Sequence, residues 1–207
     1  VGRGEVMFTD VGLSFWGGVD PLSAEVIDIS HPLFDRGSIA GKVLCLPNGR
    51  GSCTGSQVLL ELVLGPGGAN LPDNGCGGDD NLAPTAPAAI VLEREDEILG
   101  TGLIVAEEVF GRRVPPLVSL DRESFLSLSS ASYASVAGDA VATGSTLSEA
   151  EERLGSQNIP SNPDHLLSQL ELTPGERAVL RGVAAEDEGD ELEGNVAFVQ
   201  RLAMRIV

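Results

Sequence analysis

The stretch Lys42–Leu64, KVLCLPNGRGSCTGSQVLLELVL, decides the reading of the fold. Its first part, KVLCLP (Lys42–Pro47), has the β-branched and aliphatic character of a buried strand. Its last part, GSQVLLELVL (Gly55–Leu64), sets Val58, Leu59, Leu62 and Val63 on one face of a helix. Between them, PNGRGSCTGS (Pro47–Ser56) must turn the chain from strand to helix. Gly49, Gly51 and Gly55 would let the backbone approach a ligand closely and adopt positive φ. A turn that opens a helix aims free N–H groups outward, where they and the helix dipole favour a carboxylate or phosphate. Ser52, Thr54 and Ser56 add hydroxyls, and Arg50 adds a planar cation suited to a carboxylate.

Known loop patterns fit this turn poorly. The lysine of a phosphate-binding P-loop is missing, and so is the G-x-S-x-G of a nucleophile elbow. Against the dinucleotide fingerprint G-x-G-x-x-G, Gly55 arrives one residue late. Cys53 at a helix N-terminus would favour a thiolate, but as a nucleophile it would need a base, and His31 is the candidate nearby in sequence. The alternative is a tight turn with a helix cap and no ligand. Local features alone leave that turn and an anion site level.

Outward from this stretch the chain reads as strands and helices in alternation. GEVMFT and GLSFWGG read as short strand material, SAEVIDI (Ser23–Ile29) as a strand, and SHPLFDRGSIAG as a loop. AAIVLE (Ala88–Glu93) and VPPLVSL (Val114–Leu120) read as further buried strands, and GDAVATGS (Gly138–Ser145) as a closing strand and turn. Asp96–Gly111 reads as a helix capped by Asp96 and stopped by Gly111, although Gly100 and Gly102 weaken it. Gly65–Pro87 is a Gly/Pro/Asn/Asp-rich loop, long for a compact domain and read as an insertion, with Cys76 an incidental cysteine inside it. In SFWGGVDP (Ser14–Pro21), Trp16, Gly17, Gly18 and Asp20 could line a pocket mouth, although a lone tryptophan is more often core. His31 is more often a satisfied structural histidine than a ligand.

Composition narrows the function classes. The 207 residues are 42% apolar and only 4% aromatic, enough for a packed but mainly aliphatic core. A net charge of -18 argues against nucleic acid or an anionic membrane as partner. The dense acidic run Ala185–Glu193 reads as a solvated face or linker rather than a metal site. The three cysteines form no CxxC, and no signal peptide, N-x-S/T site or membrane-spanning run is present. An intracellular, reducing, cytoplasmic location is expected.

From about Leu147 the sequence turns polar, and 148–171 reads as a linker with one helical patch. Thr173, Pro174 and Glu176 make a capping box, and Val196, Val199, Ala203 and Ile206 recur at helical spacing. That apolar face has no partner before the chain stops at Val207. With Val1 as first residue, this suggests part of a longer protein.

Taken together, GRGEV (Gly2–Val6), LSFWGGVDP (Leu13–Pro21), IDISHPLF (Ile27–Phe34), Gly41–Leu64, Ala86–Gly111 and VPPLVSL resemble the small swivel domain of the aconitase X family, over about two-thirds of the chain. The blocks FWGGVDP and GRGSCTGS carry most of the specificity. LTPGERAVLRG and VAFVQRLAMRIV resemble the opening of that family's large catalytic domain. The resemblance implies an α/β architecture: a swivelling β/β/α domain over 1–147 with a 65–87 insertion, a linker over 148–171, and a truncated helical segment of the catalytic domain over 172–207.

The resemblance also implies a hydro-lyase acting on a small hydroxy acid, cis-3-hydroxy-L-proline or, in another branch, phosphorylated mevalonate. An iron–sulfur cluster would be held by the large domain of the same polypeptide, its ligands outside this chain. The loop serine that abstracts a proton in the wider superfamily falls on Ser52. Gly49, Arg50, Gly51, Cys53, Thr54, Gly55 and Ser56, with Trp16, Gly17, Gly18 and Asp20, would contact substrate. One departure matters: aconitases follow that serine with Ser-Arg, whereas Cys53 and Thr54 follow here. That argues against a tricarboxylate and leaves Arg50, or groups on the large domain, to hold a carboxylate. A swivel module that binds without catalysis is the reading from a different class.

Overall fold

The computed structural model describes residues 1–65 and 83–156. The order of elements is β1 (Gly2–Phe8), β2 (Val43–Leu46), α1 (Gly55–Leu64), β3 (Ala89–Leu92), α2 (Glu97–Glu108), β4 (Leu117–Ser119), α3 (Arg122–Ser127), β5 (Tyr133–Ala137), β6 (Ala140–Gly144) and α4 (Leu147–Gly155). Short 3₁₀ turns occupy Phe34–Arg36 and Leu128–Ser130. Cys76, the capping box at Thr173, the acidic run and the C-terminal apolar repeat lie outside the described residues, as do most of the expected loop insertion and linker.

The six strands form one mixed sheet in the order β4-β3-β2-β1-β5-β6. β1 to β4 are parallel neighbours, stepping one way through the crossover helices α1 and α2. β5 then pairs antiparallel with the other edge of β1, and β6 returns beside it as a hairpin. Parallel strands covered on both faces should read as continuous apolar runs. β2 and β3, VLCL and AIVL, are buried at every position.

Alternation along the strands sorts the core into two layers. Met7, Leu44, Leu46, Ile90 and Leu92 face the side carrying α1 and α2, against Leu59, Leu62, Leu99 and Leu103. Val6, Val43, Cys45, Ala89 and Val91 face the opposite side, against Phe125 and Leu128. Phe8 meets Phe125 there, ring centroids 5.1 Å apart. Each fully buried Leu or Ile contributes about 1.5–3 kcal/mol by leaving water, so the two layers together fix which face each strand presents.

Three expectations change. SAEVIDI and GLSFWGG form no strand; they carry the isolated bridges Val19–Val26, Glu25–Ser38 and Leu13–Gly49. Their apolar residues divide: Leu13, Phe15, Ala24 and Val26 are buried in the core on the α1/α2 face, whereas Trp16, Ile27 and Ile29 are exposed. The burial that does occur comes from a loop folded over the α1/α2 face rather than from ladder pairing. Second, α3 and β5 were not anticipated; Asp121 caps α3 by accepting from the N–H groups of Glu123 and Ser124. Third, Leu147–Gly155, at the boundary set for the linker, is helix α4, capped by Thr146 and packed on β5 and β6 with Ala150 and Leu154 buried. The packed unit therefore runs through α4.

Candidate functional site

In a parallel sheet the loops at the carboxyl ends of the strands gather in one place, and ligands bind there. The loops after β1, β2 and β3 meet at this edge. Leu13 bridges Gly49, and the Arg50 N–H donates to the Leu13 carbonyl at 2.9 Å. From the other side, Arg94 Nη2 donates to Asn48 Oδ1 at 2.7 Å. The Asp96 carboxylate then ties two elements together: Oδ2 accepts from the Gly49 N–H at 2.6 Å, and Oδ1 accepts from the Leu99 N–H at 3.0 Å as the N-cap of α2. The Pro47–Thr54 turn is thus held between its neighbours.

Two residues past Gly49 the turn reverses through Gly51 at φ +104, where a side chain would be strained and a Cβ would lie 3.0 Å from Ser14 Oγ. Ser14 is itself fixed by donating to the Trp16 carbonyl at 2.8 Å. The chain then tightens into α1: Gly55 N–H donates to the Ser52 carbonyl at 2.9 Å and Ser56 N–H to the Cys53 carbonyl at 3.1 Å. Ser56 Oγ donates to the same Cys53 carbonyl at 2.7 Å. The first turn of α1 carries no acidic residue, so nothing there offsets the positive field of its N-terminus.

Ser52 sits exposed at the tip of this turn. Its Oγ lies 3.0 Å from Thr54 Oγ1, accepts from the Thr54 N–H at 3.3 Å, and lies 3.9 Å from Cys53 Sγ. Negative charge on Ser52 Oγ would find a backbone donor and a hydroxyl donor already in place. Arg50 extends from the same turn, 61% exposed, with Nη2 4.0 Å from Asp28 Oδ2. Trp16 is 60% exposed on the neighbouring loop. Gly17 adopts φ +72, and Gly18 packs where a Cβ would meet the Ser14 carbonyl at 2.1 Å.

Asp20 is committed to its own turn, accepting from the Leu22 N–H at 3.0 Å and from Ser23 Oγ at 2.9 Å. His31 is buried between backbone groups: Nδ1 accepts from the Leu33 N–H at 3.2 Å, so Nε2–H points at the Val11 carbonyl at 3.3 Å. Both ring nitrogens are engaged, which removes His31 as a base for Cys53. Asp28 and Ser14 were not singled out in the sequence, and Asp96 was read as a helix cap but not as the tie to Gly49. The turn-forming Asp28-Ile29-Ser30 and the cap at Asp96 were the signals available.

A cluster cradle needs several converging thiolates. Among the described residues no three His, Cys, Asp or Glu side chains converge. Cys45 is buried, and burial pushes its thiol up to about 12. Cys53 is exposed and free. The residues here do not fit an iron–sulfur cluster, and none of the chemistry below passes through one in this chain.

The mixed sheet with helices on both faces and glycine-rich loops gathered at its parallel edge makes this an α/β domain. A family model described as the aconitase X swivel domain matches residues 1–66. The cis-3-hydroxy-L-proline dehydratase of Pseudomonas aeruginosa is 54% identical over 112 residues, covering 54% of this chain and 16% of that protein. The enzyme of the same name from Hypocrea jecorina is 40% identical over 140 residues, covering 68% of this chain and 20% of that protein. The phosphomevalonate dehydratase small subunit of Methanothrix thermoacetophila is 33% identical over 113 residues, covering 55% of this chain and 69% of that subunit. The chain belongs to the aconitase X swivel-domain family. It spans about a sixth to a fifth of the length of the two hydroxyproline dehydratases.

Proposed function

We propose that this chain is the swivel part of a hydro-lyase that removes water from cis-3-hydroxy-L-proline, with Ser52 as the base. The observation that carries the reading is Ser52 Oγ, exposed at the tip of a rigidly tied turn, with the Thr54 N–H and hydroxyl beside it. A serine alkoxide is far too basic to persist in water; it needs donors that are already aimed before charge develops. In the reaction Oγ takes the proton from the substrate carbon bearing the carboxylate. The released C–H electron pair forms the ring double bond as the C–O bond breaks. The neighbouring hydroxyl leaves as water with a proton from an acid assigned to the large domain, while Oγ later returns its own proton to solvent. Arg50 holds the carboxylate with paired N–H donors. The departing hydroxyl, and the ligands of the family's iron–sulfur cluster, are assigned to a large catalytic domain of the same polypeptide.

The length of the relatives supports such a partner, since most of each hydroxyproline dehydratase lies outside the matched part. So does the surface. The Gly18 carbonyl accepts from the Ile27 N–H at 2.8 Å, which ties the turn after Trp16 to the segment carrying Ile27 and Ile29, and Trp16, Ile27 and Ile29 are all exposed. The second reading, a phosphomevalonate dehydratase, is favoured by the match to small subunits of that name. Arg50 is the only cationic residue in Pro47–Ser56, few for a phosphate.

The test is the full-length enzyme, prepared without oxygen, assayed with cis-3-hydroxy-L-proline as wild type, Ser52→Ala and Cys53→Ser. Ser52→Ala is expected to lose at least about 10²–10⁴ in kcat with folding intact, and Cys53→Ser to remain active. Near-normal turnover by Ser52→Ala removes Ser52 as base and moves a binding-only module forward; loss in Cys53→Ser instead points to a thiol mechanism.

A further inference from the structure

Asp28 presents a fixed carboxylate beside Arg50. The segment carrying it is pinned by the bridges Val19–Val26 and Glu25–Ser38. Asp28 Oδ1 accepts from both the Ser30 N–H, at 2.9 Å, and Ser30 Oγ, at 2.6 Å. Those bonds, with His31 and Arg50 nearby, hold its carboxyl below the usual range, so it is charged at neutral pH. The turn needs only Oδ1. Oδ2 faces Arg50 Nη2 at 4.0 Å, beyond hydrogen-bond reach. An anion and a cation therefore stand side by side without closing on each other, two residues before Ser52.

An α-amino acid carries a carboxylate and an ammonium on one carbon, the same two charges in complementary sense. A phosphate ester of a hydroxy acid carries only negative groups, and Asp28 repels it. We propose that Asp28 and Arg50 form a clamp for a zwitterion, with Asp28 Oδ2 accepting from the substrate's ring ammonium while Arg50 donates to its carboxylate. Asp28 is thereby the residue that selects an amino acid over a nitrogen-free or phosphorylated acid. This rests on the hydroxyproline reading and goes further by assigning the ammonium subsite. An exposed ion pair at this separation adds little to stability; the Ser30 bonds occupy Oδ1 and leave Oδ2 open to a further donor.

The experiment is competitive inhibition of the full-length enzyme by L-proline and by cyclopentanecarboxylate, which keeps the ring and carboxylate and lacks the nitrogen. Wild type is expected to bind proline at least about 10-fold more tightly, the scale of one charge-assisted hydrogen bond. Asp28→Asn keeps the acceptor for Ser30 and loses the charge. It should lose that preference by about 10-fold, with cyclopentanecarboxylate unchanged or tighter. Damage to the turn would weaken both inhibitors together and leave the ratio intact. Ser30→Ala, which keeps the charge but loosens the carboxylate, should fall between. Equal inhibition of wild type by the two compounds overturns the clamp and requires no variant to fold. So does an unchanged ratio in Asp28→Asn. A wild-type enzyme that does not dehydrate hydroxyproline overturns the proposed function instead.

Discussion

Cys45 and Cys53 lie eight positions apart in the sequence, one on β2 and one inside the strand-to-helix turn, and their thiols live in opposite environments. Cys45 is fully buried on β2, and loss of water around the thiolate raises its pKa from an ordinary 9.0 to about 12. The native state therefore holds the thiol neutral where the unfolded chain ionises. Its contribution to stability is full below pH 9 and is lost as pH rises from there toward 12. Urea unfolding measured across that window should show a falling limb that Cys45→Ala flattens; an identical slope in the variant would contradict this cause. Asp28, Asp121 and Glu149 have the reverse sign. Each is lowered first by a side-chain hydrogen bond, from Ser30, Ser124 and Ser145 respectively, so each stabilises above its unfolded pKa and ceases to as acid protonates it. Brief alkylation of the native protein followed by peptide mapping should modify Cys53 and spare Cys45. The sequence made Cys45 legible as core. It placed Ser52 and Arg50 on one turn, but could not show Asp28, because that pairing depends on how the loop after β1 folds back.

At the scale of elements, one of the two glycines that weakened the helix over Asp96–Gly111 serves its packing. α2 crosses the start of α1, and a Cβ on Gly102 would lie 2.5 Å from the Ser56 carbonyl, a backbone atom that cannot swing away. Helix propensity favours alanine there by about 1 kcal/mol, but contact at that distance must move one helix. Gly102→Ala is therefore expected to destabilise by about 1–3 kcal/mol, the range for overpacking, and to lower kcat by displacing the turn before Ser56. Gly100→Ala, whose Cβ would sit 3.8 Å from Leu117 Cδ2, should be neutral or stabilising. Denaturation and turnover of the pair decide it: equal effects would mean that propensity, not packing, governs α2. The same limit explains the misread SAEVIDI. A loop laid over helices buries Val26 as completely as a strand would, while Ile27 and Ile29 of the same stretch stay exposed, so the apolar pattern could not tell loop from strand. β5 escaped notice because Ala134, Ser135 and Ala137 have weak strand character on their own and become a strand by pairing with β1.

For the whole molecule, the apolar and reactive groups are gathered on one edge. Ser52, Arg50, Trp16, Ile27 and Ile29 all belong to the loops after β1 and β2, at the carboxyl end of the parallel strands. The net charge of -18, summed over the whole chain, disfavours anionic macromolecular partners. Trp16, Ile27 and Ile29 are all exposed on this edge, and aromatic side chains are enriched at interface cores, so the proposed catalytic domain would meet this edge. If the catalytic domain closes over Ser52, Trp16 is covered at the moment the site is assembled and contributes nothing when the domains are apart. Trp16→Ala should then leave unfolding of the chain within about 0.5 kcal/mol, because the side chain is 60% exposed. It should lower kcat/KM of the full-length enzyme by about 10-fold or more, the scale of an interface anchor. Leu126→Ala is the matched control: it removes a similarly exposed apolar side chain, 38% accessible, from α3 on the opposite face of the sheet. Dehydration rates for the two variants separate the cases. Loss in Trp16→Ala alone identifies this edge as the surface that meets the catalytic domain, and equal rates would place the meeting surface elsewhere.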